Sequence, residues 1–334
     1  MTELRLDDRA LRTVFEATIA PITFQEPAPD DGPTLTLVLG QPGSGSGRAA
    51  HRLLAEHPAS AILSADGLRA FHPHYLELSR SRSDEAAQIF AEATAGWLRD
   101  GLAYARVNRR SLLLEGSFQS AQVASATAEL FSADGYRTHV AVAGIPRAVS
   151  LLSETSRYLL AHLGGSAARF TDLAVHDAAF EATRALVTQF EGETSVDRLT
   201  VIGRSGDWVF DAHRTDGFTG ASRALAREHV TPLTGPEGML WLSELRASTD
   251  YALEARRLPA QLAEVLIALH EIAIAEVVPR LPLPTNSLAR SGVEATLRSR
   301  LDELRDAVAP GRTPFDFAAP SVTAATPDLE LGIP

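Results

Sequence analysis

Residues 35–48, Leu35-Thr36-Leu37-Val38-Leu39-Gly40-Gln41-Pro42-Gly43-Ser44-Gly45-Ser46-Gly47-Arg48, decide how this chain folds. A short apolar run feeds a glycine-rich turn, and a helix pattern follows. Gly40 and Gly45 have the spacing of the phosphate-binding loop G-x-x-x-x-G-K-[ST]. Ser46 stands where the lysine belongs, and Gly47 where the magnesium-holding hydroxyl belongs. All 31 basic residues are arginine, so no lysine elsewhere fills the gap. What remains is main chain: converging N–H groups and the positive end of a helix dipole still suit a phosphate. Gly40, Gln41, Pro42, Gly43, Ser44, Gly45, Ser46, Gly47 and Arg48 are therefore the nucleotide-binding candidates. The loop implies ATP or GTP with Mg²⁺, and Ser46 is the hydroxyl left to hold the metal. Arg48 is the nearest cation. Two residues past the lysine position is about 200° around a helix, so it is expected to point away. A glycine-rich turn without a ligand is the plain alternative.

Outward from the loop, strands alternate with helices. Residues 61–64 read as a strand ending at Asp66, 111–114 as a strand ending at Glu115, and 138–143 and 198–202 as two more. Residues 208–210 read as a hairpin partner of the last. Helices are expected over 3–20, 46–57, 84–105, 119–134, 147–163 and 173–191. This alternation predicts an α/β fold: a five-stranded, mainly parallel sheet of P-loop kinase-like type, covered by helices on both faces. Residues 35–39 should lie inside the sheet. From about 220 the pattern is all helical. The expected organisation is an N-terminal helix and linker (1–30), an α/β domain (31–218), a helical extension (219–308) and a loose tail (309–334). Ligands of such sheets sit at the carboxyl ends of the strands, which gathers the loop, Asp66 and Glu115 into one crevice.

Composition sets the outer limits. A net charge of −11 argues against nucleic acid and acidic membrane surfaces as partners. With no cysteine, thiolate catalysis and disulfides are excluded. The most apolar helix, 262–278, is interrupted by Glu264, His270, Glu271 and Glu276 and is too polar to span a bilayer. The reading is cytoplasmic.

A kinase acting on a hydroxyl needs a carboxylate to accept its proton. Asp66, directly after a strand, is the candidate; the alternative is an N-cap for a helix over Gly67 to Phe71. Arg157 and Arg169 flank a turn where a lid would sit and suit a phosphate clamp; the alternative is two solvated arginines. His72-Pro73-His74-Tyr75 lacks carboxylates at ligand spacing, so it reads as a wall of the substrate side rather than a metal site.

Together these residues resemble the zeta toxin family of P-loop kinases. Four stretches carry the resemblance: Gly40 to Gly45; Asp66-Gly67-Leu68-Arg69 with His72 to Tyr75; Leu114-Glu115-Gly116-Ser117; and Ser156-Arg157-Tyr158 followed by Arg169 and His176-Asp177. The resemblance implies transfer of the γ-phosphoryl of ATP to a hydroxyl of a UDP-linked N-acetylamino sugar, such as UDP-N-acetylglucosamine. A small helical antitoxin typically blocks the nucleotide site of such proteins. Asp66 would be the base, and Arg157 and Arg169 the clamp. Arg69, His72, Glu115 and Ser117 would face the substrate. Two departures stand out: the altered loop, and Arg99 at the place of an acidic sugar contact, with Asp100 one position off. They predict an attenuated or altered kinase, or else a non-catalytic relative that binds a nucleotide or nucleotide-sugar as a regulatory or partner-binding module.

Overall fold

The structure, a computed structural model, describes residues 4–25, 32–81, 84–116, 121–164, 170–192, 195–254 and 258–308. Helix α1 (Asp8–Val14), capped by Asp7, runs through a π-helical turn (Phe15–Ile19) into α2 (Ala20–Thr23). Strand β1 (Thr34–Leu39) then leads into the glycine loop and α3 (Ser46–Glu56). The order continues β2 (Ala61–Ser64), α4 (Ala65–Arg69), α5 (Tyr75–Ser81), α6 (Asp84–Val107), β3 (Leu112–Gly116), α7 (Ala121–Ala133) and β4 (Arg137–Ala143). Next come α8 (Arg147–Leu163), α9 (Leu173–Phe190), β5 (Arg198–Ile202) and β6 (Trp208–His213). Helices α10 (Ala221–Val230), α11 (Gly235–Glu254), α12 (Ala260–Ile272) and α13 (Leu288–Val308) complete the described chain. The expected tail, 309–334, lies outside the described residues.

The sheet has the order β2-β3-β1-β4-β5-β6, parallel except for β6. It therefore carries six strands rather than five, because the hairpin partner expected at 208–210 extends to His213 and joins as an antiparallel edge. Strand β1 is central: Leu37 pairs with Leu114 on one side and Val140 on the other. All six of its residues are buried, as a strand covered on both faces requires. Phe15 and Ile19 of the π-helical turn, Ala20 of α2 and Phe24 just after it share one apolar cluster with Leu35, Leu37 and Trp97. Trp97 is fully buried and donates its Nε1–H to Leu11 O at 3.0 Å, which ties the N-terminal helix to α6.

A second apolar cluster lies beyond α8. Leu151, Leu152 and Leu159 on α8 pack with Trp241, Leu245, Leu262, Leu266 and Leu304 from α11, α12 and α13. Trp241 Nε1 donates to Ala148 O at 3.0 Å. One face of α8 is thereby held by the C-terminal helices while another meets the glycine loop.

Candidate active site

The loop's shape follows from its glycines. Gly43 and Gly45 adopt φ +76° and +74°, a region costly for any side chain with a Cβ. A Cβ on Gly43 would stand 2.0 Å from Ser150 O and 2.9 Å from the backbone N of Glu154, so the loop lies directly on α8. Gly45 is the N-cap of α3. The first-turn N–H groups of Ser46 and Gly47 have no helical acceptor there and are available to an anion. Gln41, 1% exposed, anchors the loop from below: its Nε2 donates to Ile145 O at 2.8 Å and Ser150 Oγ at 3.2 Å.

Ser150 continues a buried polar chain. Its Oγ meets His176 Nε2 at 3.0 Å, His176 Nδ1 lies 3.4 Å from Asp177 Oδ1, and Asp177 takes two bonds from Arg147, at 2.6 and 2.8 Å. Burial pushes the His176 pKa down against the pull of Asp177. This chain fastens the loop to α8 and α9.

Side chains depart from the expectations at three places. Arg48 does not point away: its Nη2 and Nε lie 3.0 and 3.3 Å from where a Cβ on Gly45 would stand. The glycine leaves room for the guanidinium to fold back over the loop, which overrides the helical offset. Ser46 Oγ donates to Glu115 Oε1 at 2.9 Å, so the residue at the lysine position is engaged by the carboxylate ending β3. A Cβ on Gly47 would meet that same oxygen at 3.3 Å. Third, Asp66 does not cap a helix starting at Gly67. Ser64 is the N-cap of α4, accepting from Gly67 N–H at 3.1 Å. Asp66 is left with its side chain 74% exposed and Arg69 Nη1 at 3.4 Å from Oδ1.

His72 sits in an aromatic nest, edge-on to Phe90 and Trp97 at 5.6 and 6.2 Å, and is 2% exposed. Burial, with His74 nearby, lowers its pKa to about 4. Arg69 extends over Phe90 at 5.9 Å. Asp100 lies among the charges of the N-terminal helices: burial raises its pKa, opposed by Arg12 and Arg99. Ser117 and Arg169 lie outside the described residues. Among the described residues no group of three or more His, Asp or Glu could hold a metal by itself, and no helix is long and apolar enough to cross a membrane.

Arg157 points from α8 and is half-exposed. It donates through Nε to Glu154 Oε2 at 3.1 Å and through Nη2 to Oε1 at 2.5 Å. Burial would lower its pKa, but the hydrogen bonds and charge of Glu154 outweigh this, with a further contribution from Asp66, and the pKa is raised. Arg157 and Asp66 thus share one electrostatic neighbourhood. Glu154 escaped the sequence reading; the signal for it is an acid within an apolar stretch of α8, three residues before an arginine.

A glycine loop capping a helix at the carboxyl end of the central strand, in the order 2-3-1-4-5, defines a P-loop kinase-like protein. The chain belongs to the zeta toxin family, a family of kinase-like toxins whose sequence model matches residues 20–215, more than half of its length. It is 27% identical over 183 residues to Toxin PezT of Streptococcus pneumoniae serotype 4, covering 54% of this chain and 72% of that one. Its fold is similar to a structure of the PezAT chromosomal toxin–antitoxin system of that organism: TM-score 0.61, 21% identity, 75% of this chain and 98% of the other. It is also similar to AvrRxo1-ORF1:-ORF2 solved with ATP: TM-score 0.51, 15% identity, 78% and 87% covered.

Proposed function

We propose that this protein is a phosphotransferase that binds ATP or GTP on the Gly40–Arg48 loop and transfers the γ-phosphoryl to a hydroxyl of a nucleotide-sugar such as UDP-N-acetylglucosamine. The observation that carries this reading is the loop itself: glycines in the left-handed region, N–H groups of α3 unclaimed, and Arg48 folded over Gly45. The family's kinase character and the ATP in the AvrRxo1 structure support it. Ser46 Oγ and the Glu115 carboxylate form an all-oxygen pair suited to Mg²⁺, which is usually held by one or two carboxylates together with substrate phosphates. Bound there, Mg²⁺ would neutralise charge on the β- and γ-phosphates.

In the transfer step the acceptor oxygen attacks Pγ, its proton passes to the Asp66 carboxylate, the bond from Pγ to the β-bridging oxygen breaks, and the nucleoside diphosphate leaves. Arg157, with Arg169 as its proposed partner, would hold the transferring group. Arg69, Glu115 and Ser117 belong to the acceptor side, with His72, buried against Phe90 and Trp97, shaping its wall. Without the lysine, turnover is reduced on the order of 10²–10³, the usual cost of losing one electrostatic stabiliser. A small helical antitoxin fits as the protein partner, since the similar PezAT structure is of a toxin–antitoxin system.

One observation favours a second reading, a non-catalytic nucleotide- or nucleotide-sugar-binding module: Ser46 is engaged by Glu115 while Gly47 offers no hydroxyl. Label transfer from γ-labelled ATP to a panel of UDP-sugars separates the two. The kinase reading expects slow transfer that Asp66→Asn removes. Silence of both the native chain and the restored Ser46→Lys/Gly47→Thr variant on every acceptor would establish the second.

A further inference from the structure

Three parts of the site meet at one residue of α8. We propose that Glu154 is the positioning residue that aims Arg157 at the phosphoryl group, coupling that aim to the glycine loop and to the entry of α9. The inference rests on the phosphoryl-transfer reading above.

The hydrogen-bond pattern shows how the aim is set. Glu154 takes the side-on edge of the guanidinium, Nε and Nη2, on its two oxygens. That leaves the end-on fork of Nη1 and the second Nη2 hydrogen without an acceptor among the described residues, and this fork matches two phosphate oxygens. Thr171 Oγ1 donates to Oε1 at 2.9 Å, so the carboxylate also ties down the residue just before Asp172, the N-cap of α9. From the other side, Gly43 presses against the backbone N of Glu154. A shift of the loop, of α9 or of Arg157 would therefore be felt at Glu154.

Burial separates this pair from an ordinary surface contact. The Glu154 side chain is 6% exposed and lies on the stretch of α8 that also buries Leu151, Leu152, Thr155 and Ser156. Three donors fill the carboxylate, and a surface ion pair at i,i+3 would not require that desolvation. A buried acid held by donors from two residues leaves Arg157 one orientation instead of several. The entropy of ordering that long side chain is then settled before nucleotide arrives, which is how preorganisation raises affinity.

The test is a double-mutant cycle on MgATP affinity by calorimetry, with Glu154→Gln, Arg157→Ala and the pair. Glu154→Gln should weaken binding about tenfold, or 1.4 kcal/mol, and should have no further effect once Arg157 is gone. Thr171→Val, which removes one donor and leaves the charge, should act in the same direction and less, and Glu154→Asp should recover part of the loss. A second readout needs no nucleotide: the Arg157 Nε–H resonance, identified by its loss in Arg157→Lys, should exchange slowly in the native protein and fast in Glu154→Gln. Multiplying effects in the cycle, or an unchanged Nε–H in Glu154→Gln, would overturn the proposal. A native chain that binds no MgATP would instead defeat the phosphoryl-transfer reading, and this role with it.

Discussion

The glycine loop and helix α8 pack directly on each other and contribute in opposite ways. The loop keeps its backbone and has lost its side-chain chemistry: Gly43 and Gly45 hold the required left-handed turns, while Ser46 and Gly47 replace a cation and a metal-holding hydroxyl. Helix α8 offers side-chain chemistry instead, with Arg157 held by Glu154 and another face of the helix buried against α11, α12 and α13. The physical lesson is that main-chain anion binding depends on shape, and shape is enforced by packing. Charge supplied by a long side chain is less tied to one position, because a guanidinium can pair with phosphate oxygens bidentately from another point on the chain. Arg48 folds over Gly45, and Arg157 stands on α8, the helix on which the loop rests.

Four measurements test this contrast. The largest effect belongs to the catalytic side: Asp66→Asn should lower phosphate transfer about 10²–10⁴-fold while calorimetry shows ATP affinity nearly unchanged. If affinity falls with it, Asp66 is serving the nucleotide and not the acceptor. Next comes the loop's shape. Gly43→Ala combines left-handed strain with a Cβ only 2.0 Å from Ser150 O, so denaturant unfolding should show a loss of about 3 kcal/mol together with lost ATP binding. A stable, nucleotide-binding Gly43→Ala protein would mean that the loop does not rest on α8.

Acid should loosen the whole frame. Burial lowers the pKa of His72 and His229 to about 4 and of His139 to about 3, from 6.5. Their folded state holds them neutral, so below pH 6.5 the unfolded chain binds protons that the native one refuses. Stability is full above 6.5 and falls by about 1.4 kcal/mol per pH unit for each group, down to its folded pKa. Urea midpoints between pH 7 and 5 check this slope, and His229→Phe, beside Phe180 at 4.3 Å, should flatten it by one histidine's share. The smallest effect is Gly47→Ala. Its Cβ would meet only the mobile end of Glu115 at 3.3 Å, and alanine favours a helix, so stability should change by less than about 1 kcal/mol. A large loss there would show that Glu115 is as rigid as the backbone beneath Gly43.

Sequence and structure agree where a single physical constraint acts. Strand β1, the loop and α3 were legible because burial on both faces demands an apolar run and a left-handed turn demands glycine. The bounds of α8 and β5, 147–163 and 198–202, match for the same reason: clean apolar patterning with Pro146 before one and a polar turn after the other. The side-chain arrangement was less accessible. Arg48 defeated a helical-wheel argument because the space above Gly45 is a property of packing. The cap of α4 belongs to Ser64, two residues before the Asp66 considered for that task, and both are good caps by residue type. The chain Gln41–Ser150–His176–Asp177 joins residues more than a hundred positions apart, and nothing local announces it.

On the proposed reading, a loop without its lysine still binds triphosphate through its backbone, helped by arginine. Calorimetric titration of the native chain with MgATP and MgGTP tests it most directly, alongside Arg48→Ala and Gly45→Val. The prediction is saturable but weak binding, reduced by Arg48→Ala and abolished by Gly45→Val, whose side chain would strain the left-handed turn and crowd the Arg48 guanidinium. Absence of heat from either nucleotide at millimolar concentration, or binding unaffected by Gly45→Val, would contradict it.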